Sequence, residues 1–174
     1  MTAEIGLQGH AIAQGAAILA QLDGLQARGR FAAEFDCIRP RFAGDAEPML
    51  ELKQARHPLL EKRLRSQQAS IVPLTLALND GERQLIISGP NTGGKSVALK
   101  TTGLLAMMAQ AGIPVPAAEA VFPLCNAFLA DIGDAQSIEQ NLSTFSAHIT
   151  HLQRISQLAD SSSLVLLEDR KSVV

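Results

Sequence analysis

Near the start of the chain, apolar residues recur at close to helical spacing. Ile5, Ile12, Ile18, Leu19, Leu22 and Leu25 form the series, and the alanines between them favour helix. The spacing predicts a helix over residues 5–30, with Gly6, Gly9 and Gly15 weakening its first half. Phe31 to Arg41 is expected to continue as a second short helix before Pro40. Phe42 to Pro48 reads as a loop and as the boundary between residues 1–45 and a following domain over 46–168.

From Met49 onward the pattern changes. Leu74-Thr-Leu-Ala-Leu78 alternates as a strand does, and Asn79-Asp80-Gly81 signals a turn. Gln84 to Ser88 predicts a short buried strand. Lys95 to Ala111 predicts a buried helix, apolar nearly all round in its second half, with Gly112 as its cap and Pro114 and Pro116 preventing continuation. Asn126 to Ile132 predicts a strand. Thr144 to Ala159 predicts a helix with Phe145, Ile149, Leu152, Ile155 and Ala159 on one face, and Leu164 to Leu167 a buried strand. Strands alternating with helices imply an α/β fold with a largely parallel sheet.

Composition narrows the function classes. The chain has 174 residues, 47% of them hydrophobic, which excludes wholesale disorder and is expected to hold about one domain. No apolar run is long enough to cross a membrane, and the first ten residues have neither the basic nor the apolar part of a secretory signal. Cys37 and Cys125 are far apart with no CxxC partner, which fits a reduced, cytoplasmic chain better than a disulfide scaffold or zinc site. Trp and Tyr are absent and Phe numbers six, so a base-stacking platform for single strands is not expected. Net charge is −2. The mildly basic middle, carried by Lys53, Arg56, Lys62, Arg63 and Arg65, reads as a solvated surface beside a nucleotide site, too weak for a nucleic-acid stripe.

The sharpest chemical signal is Gly89-Pro90-Asn91-Thr92-Gly93-Gly94-Lys95-Ser96, a full match to G-x-x-x-x-G-K-[ST] between a predicted strand and a predicted helix. Glycines let successive backbone N–H groups turn inward around a phosphate, and the helix N-terminus adds a positive dipole. In this pattern Lys95 reaches the β- and γ-phosphates and the Ser96 hydroxyl ligates Mg²⁺. Val97 follows within the first helical turn and is counted with the nucleotide-binding residues, as is Ile71, which with Val72 is expected to border the base. No Asn/Thr-Lys-x-Asp guanine motif is present, which favours ATP.

The Gly-Pro-Asn-x-Gly-Gly-Lys-Ser loop resembles that of the MutS ATPases. Ala55-Arg-His-Pro-Leu-Leu60, Lys100-Thr-Thr-Gly-Leu-Leu105 and the stretch from Asp131 to His148 narrow the resemblance to the bacterial MutS-two subfamily. It covers residues 50–168 strongly and 1–45 weakly, the latter resembling the end of a helical core domain. The resemblance implies the first part of a P-loop, ABC-type ATPase domain using ATP and Mg²⁺, and a homodimer in the intact protein. It implies that Ser143 and Thr144 touch the γ-phosphate of the nucleotide held by the partner, and that Asp134 and Gln136 act as a Q-loop-like link. It further implies DNA binding, endonuclease action, suppression of homologous recombination and rescue of stalled ribosomes, with DNA and ribosome contacts made by regions outside this sequence. His57, in the Arg-His-Pro box, is expected to make a structural hydrogen bond. His148 and His151 are expected to make surface or dimer contacts.

The family pattern ends its last strand with an Asp for Mg²⁺ and then a Glu as general base; here the order is Glu168-Asp169. Glu168 therefore stands at the metal position with an extra methylene. Residues 169–174 are foreign to the pattern and match the translation of a common sequencing adapter, so they are expected to be non-native, and the piece is expected to hydrolyse ATP negligibly. The alternatives left open are a mismatch-repair MutS ATPase and a nucleotide-dependent dimerisation module without turnover.

Overall fold

Leu50-Glu-Leu-Lys-Gln-Ala55 alternates apolar and polar residues, and the chain builds its main sheet around this strand. The computed structural model describes residues 9–44, 49–79, 81–90, 94–132 and 141–168, with backbone alone over 141–148. In chain order the elements are α1 (Gly9–Glu34), β1 (Arg41–Phe42), β2 (Leu50–Ala55), α2 (Pro58–Ser66), β3 (Leu74–Leu78), α3 (Lys95–Gln110), β4 (Glu119–Phe122), β5 (Ala127–Asp131), α4 (Asn141–Leu158) and β6 (Ser163–Leu167).

Four strands form one sheet in the order β1-β4-β2-β3, and β5 pairs with β6 in a second. Both β2 ladders, to β3 and to β4, are antiparallel; β1–β4 and β5–β6 are parallel. The architecture is α/β with mixed sheets, not the largely parallel sheet expected. The reason is local: after α2 the chain turns back as β3 alongside β2 instead of crossing over to a parallel position.

Gln54 (φ 52) interrupts β2 with a bulge, where the register to β3 shifts between Leu52 and Ala55. Strict alternation would aim Gln54 inward; the extra residue exposes it and returns Ala55 to the core. That core joins Leu50, Leu52 and Ala55 to Ala120 and Phe122 of β4 and to Leu105, Ala106 and Ala109 of α3. The buried Thr101 and Thr102 satisfy their hydroxyls on the carbonyls of Val97 and Ala98, at 2.6 and 2.9 Å. α3 ends in a Schellman turn: Ile113 N–H donates to Met108 and Gly112 N–H to Ala109, both at 2.9 Å, with Gly112 at φ 70.

Two further expectations differ. The second helix over 31–41 does not form: α1 runs unbroken to Glu34, Asp36 then turns left-handed (φ 47), and Ile38 bridges to Val115 before β1. Gln84 to Ser88 is neither a strand nor buried, since among the described residues no ladder pairs with it and Ile86 is 85% exposed. The strand expected over Asn126 to Ile132 forms as β5, which Asp131 closes. The elements β2, α2 and β4 had not been recognised in the sequence at all.

Candidate functional site

α3 starts at the carboxyl end of the β5–β6 pair. Gly94 precedes it at φ 80, a conformation that admits the turn only because there is no side chain. The next two residues therefore project from the first helical turn. Lys95 Nζ donates to the Gly89 carbonyl, closing the loop on itself. The Ser96 hydroxyl donates to Glu168 Oε1, just beyond β6. Two residues 72 apart in sequence thus meet at the strand ends, the position where open α/β sheets bind ligands.

Glu168 is held from behind, its N–H donating to the Asp131 carbonyl at 2.9 Å. Its Oε2 is buried without a hydrogen-bond partner. A buried carboxylate oxygen beside a serine hydroxyl is a hard, oxygen-only donor set suited to Mg²⁺, which takes one or two protein ligands and completes its shell from phosphates and water. Among the described residues no group of three or more His, Cys, Asp or Glu could hold a metal ion. Asp131 is buried, and His151 Nδ1 of α4 lies 3.6 Å from its Oδ1.

A groove of about 460 Å³ opens beside this turn. Ala55, His57, Leu60 and Leu64 form one wall, Ile71 and Val72 another, and Gly94, Lys95, Val97 and Ala98 the floor. Its volume and mostly apolar lining suit a small organic ligand with one charged end. The wall is set by α2, which Pro58 opens at its first position. His57 caps that helix, Nδ1 accepting from Leu60 N–H at 3.4 Å. Burial pushes the imidazole below its ordinary pKa; a hydrogen bond to its own backbone raises it by less, and the Lys100 charge lowers it slightly further. Only the neutral ring can accept this bond.

The structure thus brings Ile71, Gly94, Lys95 and Val97 around one groove; Lys95 is bonded to Gly89, which Pro90 follows, and Ser96 is not a groove-lining residue but stands against Glu168. Asn91, Thr92, Gly93, Asp134 and Gln136 lie outside the described residues. Ser143 and Thr144 fall in the first turn of α4, where the backbone alone is described. The sequence reading missed Leu60 and Leu64 as groove wall. Their i, i+4 spacing after His-Pro was the available signal. It also took Arg56 for a solvated charge, whereas its guanidinium is largely covered and bonded to Glu61.

A glycine-led turn into a helix, a lysine and serine on its first turn, a strand-end carboxylate and an adjoining groove define an α/β fold with a polar cluster at its strand ends. Comparison with known proteins gives the family. Residues 85–170 match the family described as MutS domain V. Endonuclease MutS2 of Thermomicrobium roseum is 47% identical over 163 residues, covering 86% of this chain and 19% of that protein. Endonuclease MutS2 of Agathobacter rectalis is 40% identical over 167 residues, covering 95% and 20%. That of Gemmatimonas aurantiaca is 46% identical over 155 residues, covering 87% and 18%. The chain belongs to the MutS family and is a segment of the MutS2 type, spanning about a fifth of the length of these relatives. No described helix is long and apolar enough to cross a membrane.

Proposed function

We propose that this segment is the ATP-binding part of a MutS2-type ATPase, with a P-loop formed by Gly89 to Ser96. The observation that carries the reading is the meeting of Ser96 with Glu168, where Ser96 directly follows Lys95, a lining residue of the apolar groove. Ser96 and Glu168 would hold Mg²⁺, which when bound supplies positive charge to the phosphoryl oxygens. Lys95 and the positive dipole end of α3 bind the triphosphate. Ile71, Val72 and Leu60 exclude water around the base.

A fluorescent ATP analogue tests this directly. The chain should bind it in a Mg²⁺-dependent manner, and Lys95→Ala should weaken binding about tenfold or more, the loss of a charge-assisted contact. Equal affinity with and without Lys95 would sink the reading. Phosphate release by this segment should be negligible, because the acids at the strand end stand as Glu168-Asp169. Turnover at a rate ordinary for such ATPases would refute that part alone and leave binding standing.

For the longer protein the reading extends to a DNA-binding ATPase and endonuclease acting as a homodimer in the cytoplasm. Ser143 and Thr144 would approach the partner's nucleotide from an N-terminal helical turn, where dipole and open N–H groups favour an anion. Asp134 and Gln136 would link the γ-phosphate to the helical regions. Suppression of recombination and rescue of stalled ribosomes belong to the same reading. Binding of the full-length protein to branched DNA, set against its co-sedimentation with ribosomes, separates them.

A further inference from the structure

α1 has 26 residues, none of them buried, with Ile12, Ile18, Leu19, Leu22 and Leu25 all more than half exposed. Its attachment is concentrated at its C-terminal end. There the last helical carbonyl, which has no partner inside a helix, and the two carbonyls that follow it meet two guanidiniums. Arg65 donates to the Glu34 carbonyl at 2.9 Å. Arg56 donates to the Phe35 carbonyl and, at 3.3 Å, to that of Asp36. Arg65 also lies over the Phe35 ring, 5.4 Å from its centroid.

Both cations are tied together by one buried carboxylate. Glu61 accepts from Arg56 Nε at 3.1 Å and from Arg65 Nη2 at 2.6 Å. Glu61 and Arg65 are four apart on α2, and so are Leu60 and Leu64, which line the groove. The two pairs differ by one residue, so they lie on adjacent faces of the same short helix, about 100° apart. Arg56 immediately precedes His57, the groove-lining cap. No flexible linker separates the surface that faces the groove from the surface that holds α1.

We propose that Arg56, Glu61 and Arg65 are positioning residues that link occupancy of the groove to the docking of the C-terminal end of α1. The inference rests on the groove being a nucleotide site. A ligand that orders α2 orders the guanidiniums that α2 carries, and these fix the end of α1. The long helix amplifies the effect. At about 1.5 Å per residue α1 is about 39 Å long, so a tilt of about 5° at the clamp moves its far end by about 3 Å. Linkage is reciprocal: a loosened clamp must also weaken the ligand.

The test is hydrogen–deuterium exchange on the full 174-residue chain with and without Mg²⁺ and adenylyl-imidodiphosphate, alongside titration of that analogue. The analogue should slow exchange at residues 57–64 and 94–98, and also, about threefold or more, at residues 33–38. Arg65→Met should abolish the response at 33–38, preserve that at 94–98, and raise the Kd about fivefold, the low end of typical coupling. Unchanged protection of Glu51 to Lys53 in β2 verifies that the variant is folded. If the wild type shows protection at 57–64 and 94–98 only, or if Arg65→Met keeps the response at 33–38, the link is overturned and the nucleotide site stands. If no segment responds, the nucleotide reading fails and the link fails with it.

Discussion

The sheet built on β2 and the strand pair β5–β6 are stabilised very differently. Leu52, Val121, Phe122 and Leu105 are completely shielded from solvent, and every strand of the larger sheet is laddered to a neighbour. At the strand pair, Leu167 is 50% exposed, Leu158 of the adjoining α4 is 55% exposed, and the apolar run at Leu85 and Ile86 has no ladder. α3 belongs to both: its second half is core, and its first turn carries Lys95 and Ser96. The chemistry therefore sits on the sparsely packed side and is positioned by an element anchored on the densely packed side. Binding residues on mobile or open segments held by a rigid scaffold are a general arrangement.

The largest test of this contrast is Phe122→Ala. The ring is fully buried between β1 and β2 and against α3, so its removal leaves a cavity that the neighbouring strands cannot collapse around. Chemical denaturation should show a loss of about 3–5 kcal/mol. A loss below about 1 kcal/mol would mean that the larger sheet is not the stability core.

Gly103→Ala probes the junction between the two regions. A Cβ on Gly103 would run into the Leu166 side chain of β6, where α3 packs on the strand pair. Leu166 is flexible, so the expected cost is about 1–3 kcal/mol. The variant should also weaken nucleotide binding, because pushing β6 away from α3 separates Glu168 from Ser96. A variant of unchanged stability and affinity would show that the two regions are not in register through α3.

Much of this was legible in the sequence, for reasons that vary by element. α3 was read nearly to its ends because a glycine-rich motif opens it and Gly112 with two prolines closes it. β3 and β6 were read from alternation and an apolar run. β2 was missed because the bulge at Gln54 breaks its alternation, and β4 because four residues, three of them buried, give no period. α2 was hidden by its charges: Lys62, Arg63 and Arg65 look like a solvated run, while Arg65 is half of the clamp on α1. The strand expected at Gln84 to Ser88 failed for the opposite reason. Its composition suits a strand, but a strand exists only with a partner ladder.

His57 gives a smaller effect that sharpens the boundary of the site. As the N-cap of α2, its replacement by alanine should cost about 1 kcal/mol. The sign of the pH dependence follows from the lowered pKa. The unfolded imidazole takes up a proton near pH 6.5 and the folded one only at lower pH, so its stabilisation is complete above about 6.5 and is lost as pH falls through the folded value. His57→Asn keeps a capping acceptor and cannot titrate. Its stability should stay close to wild type at pH 7.5, and its loss between pH 7 and 5 should be smaller than that of the wild type. An identical pH profile in the two proteins would assign the dependence to other groups.

The smallest expected effect is the most direct measure of the contrast. Ile86 is as apolar as Leu105, yet 85% of it faces solvent, and it has no ladder to lose. Hydrophobic stabilisation scales with area removed from water, so Ile86→Ala has little to forfeit. Its stability should lie within about 0.5 kcal/mol of wild type, in the same denaturant titration that registers the loss for Phe122→Ala. Solubility should improve, because a large apolar side chain is removed from an unpaired, strand-like segment of the kind that invites edge-to-edge association. A loss of about 1 kcal/mol or more would show that the segment packs in solution. The open side of the molecule would then be closed by Leu85 to Ile87, and the site would rest on a second packed layer.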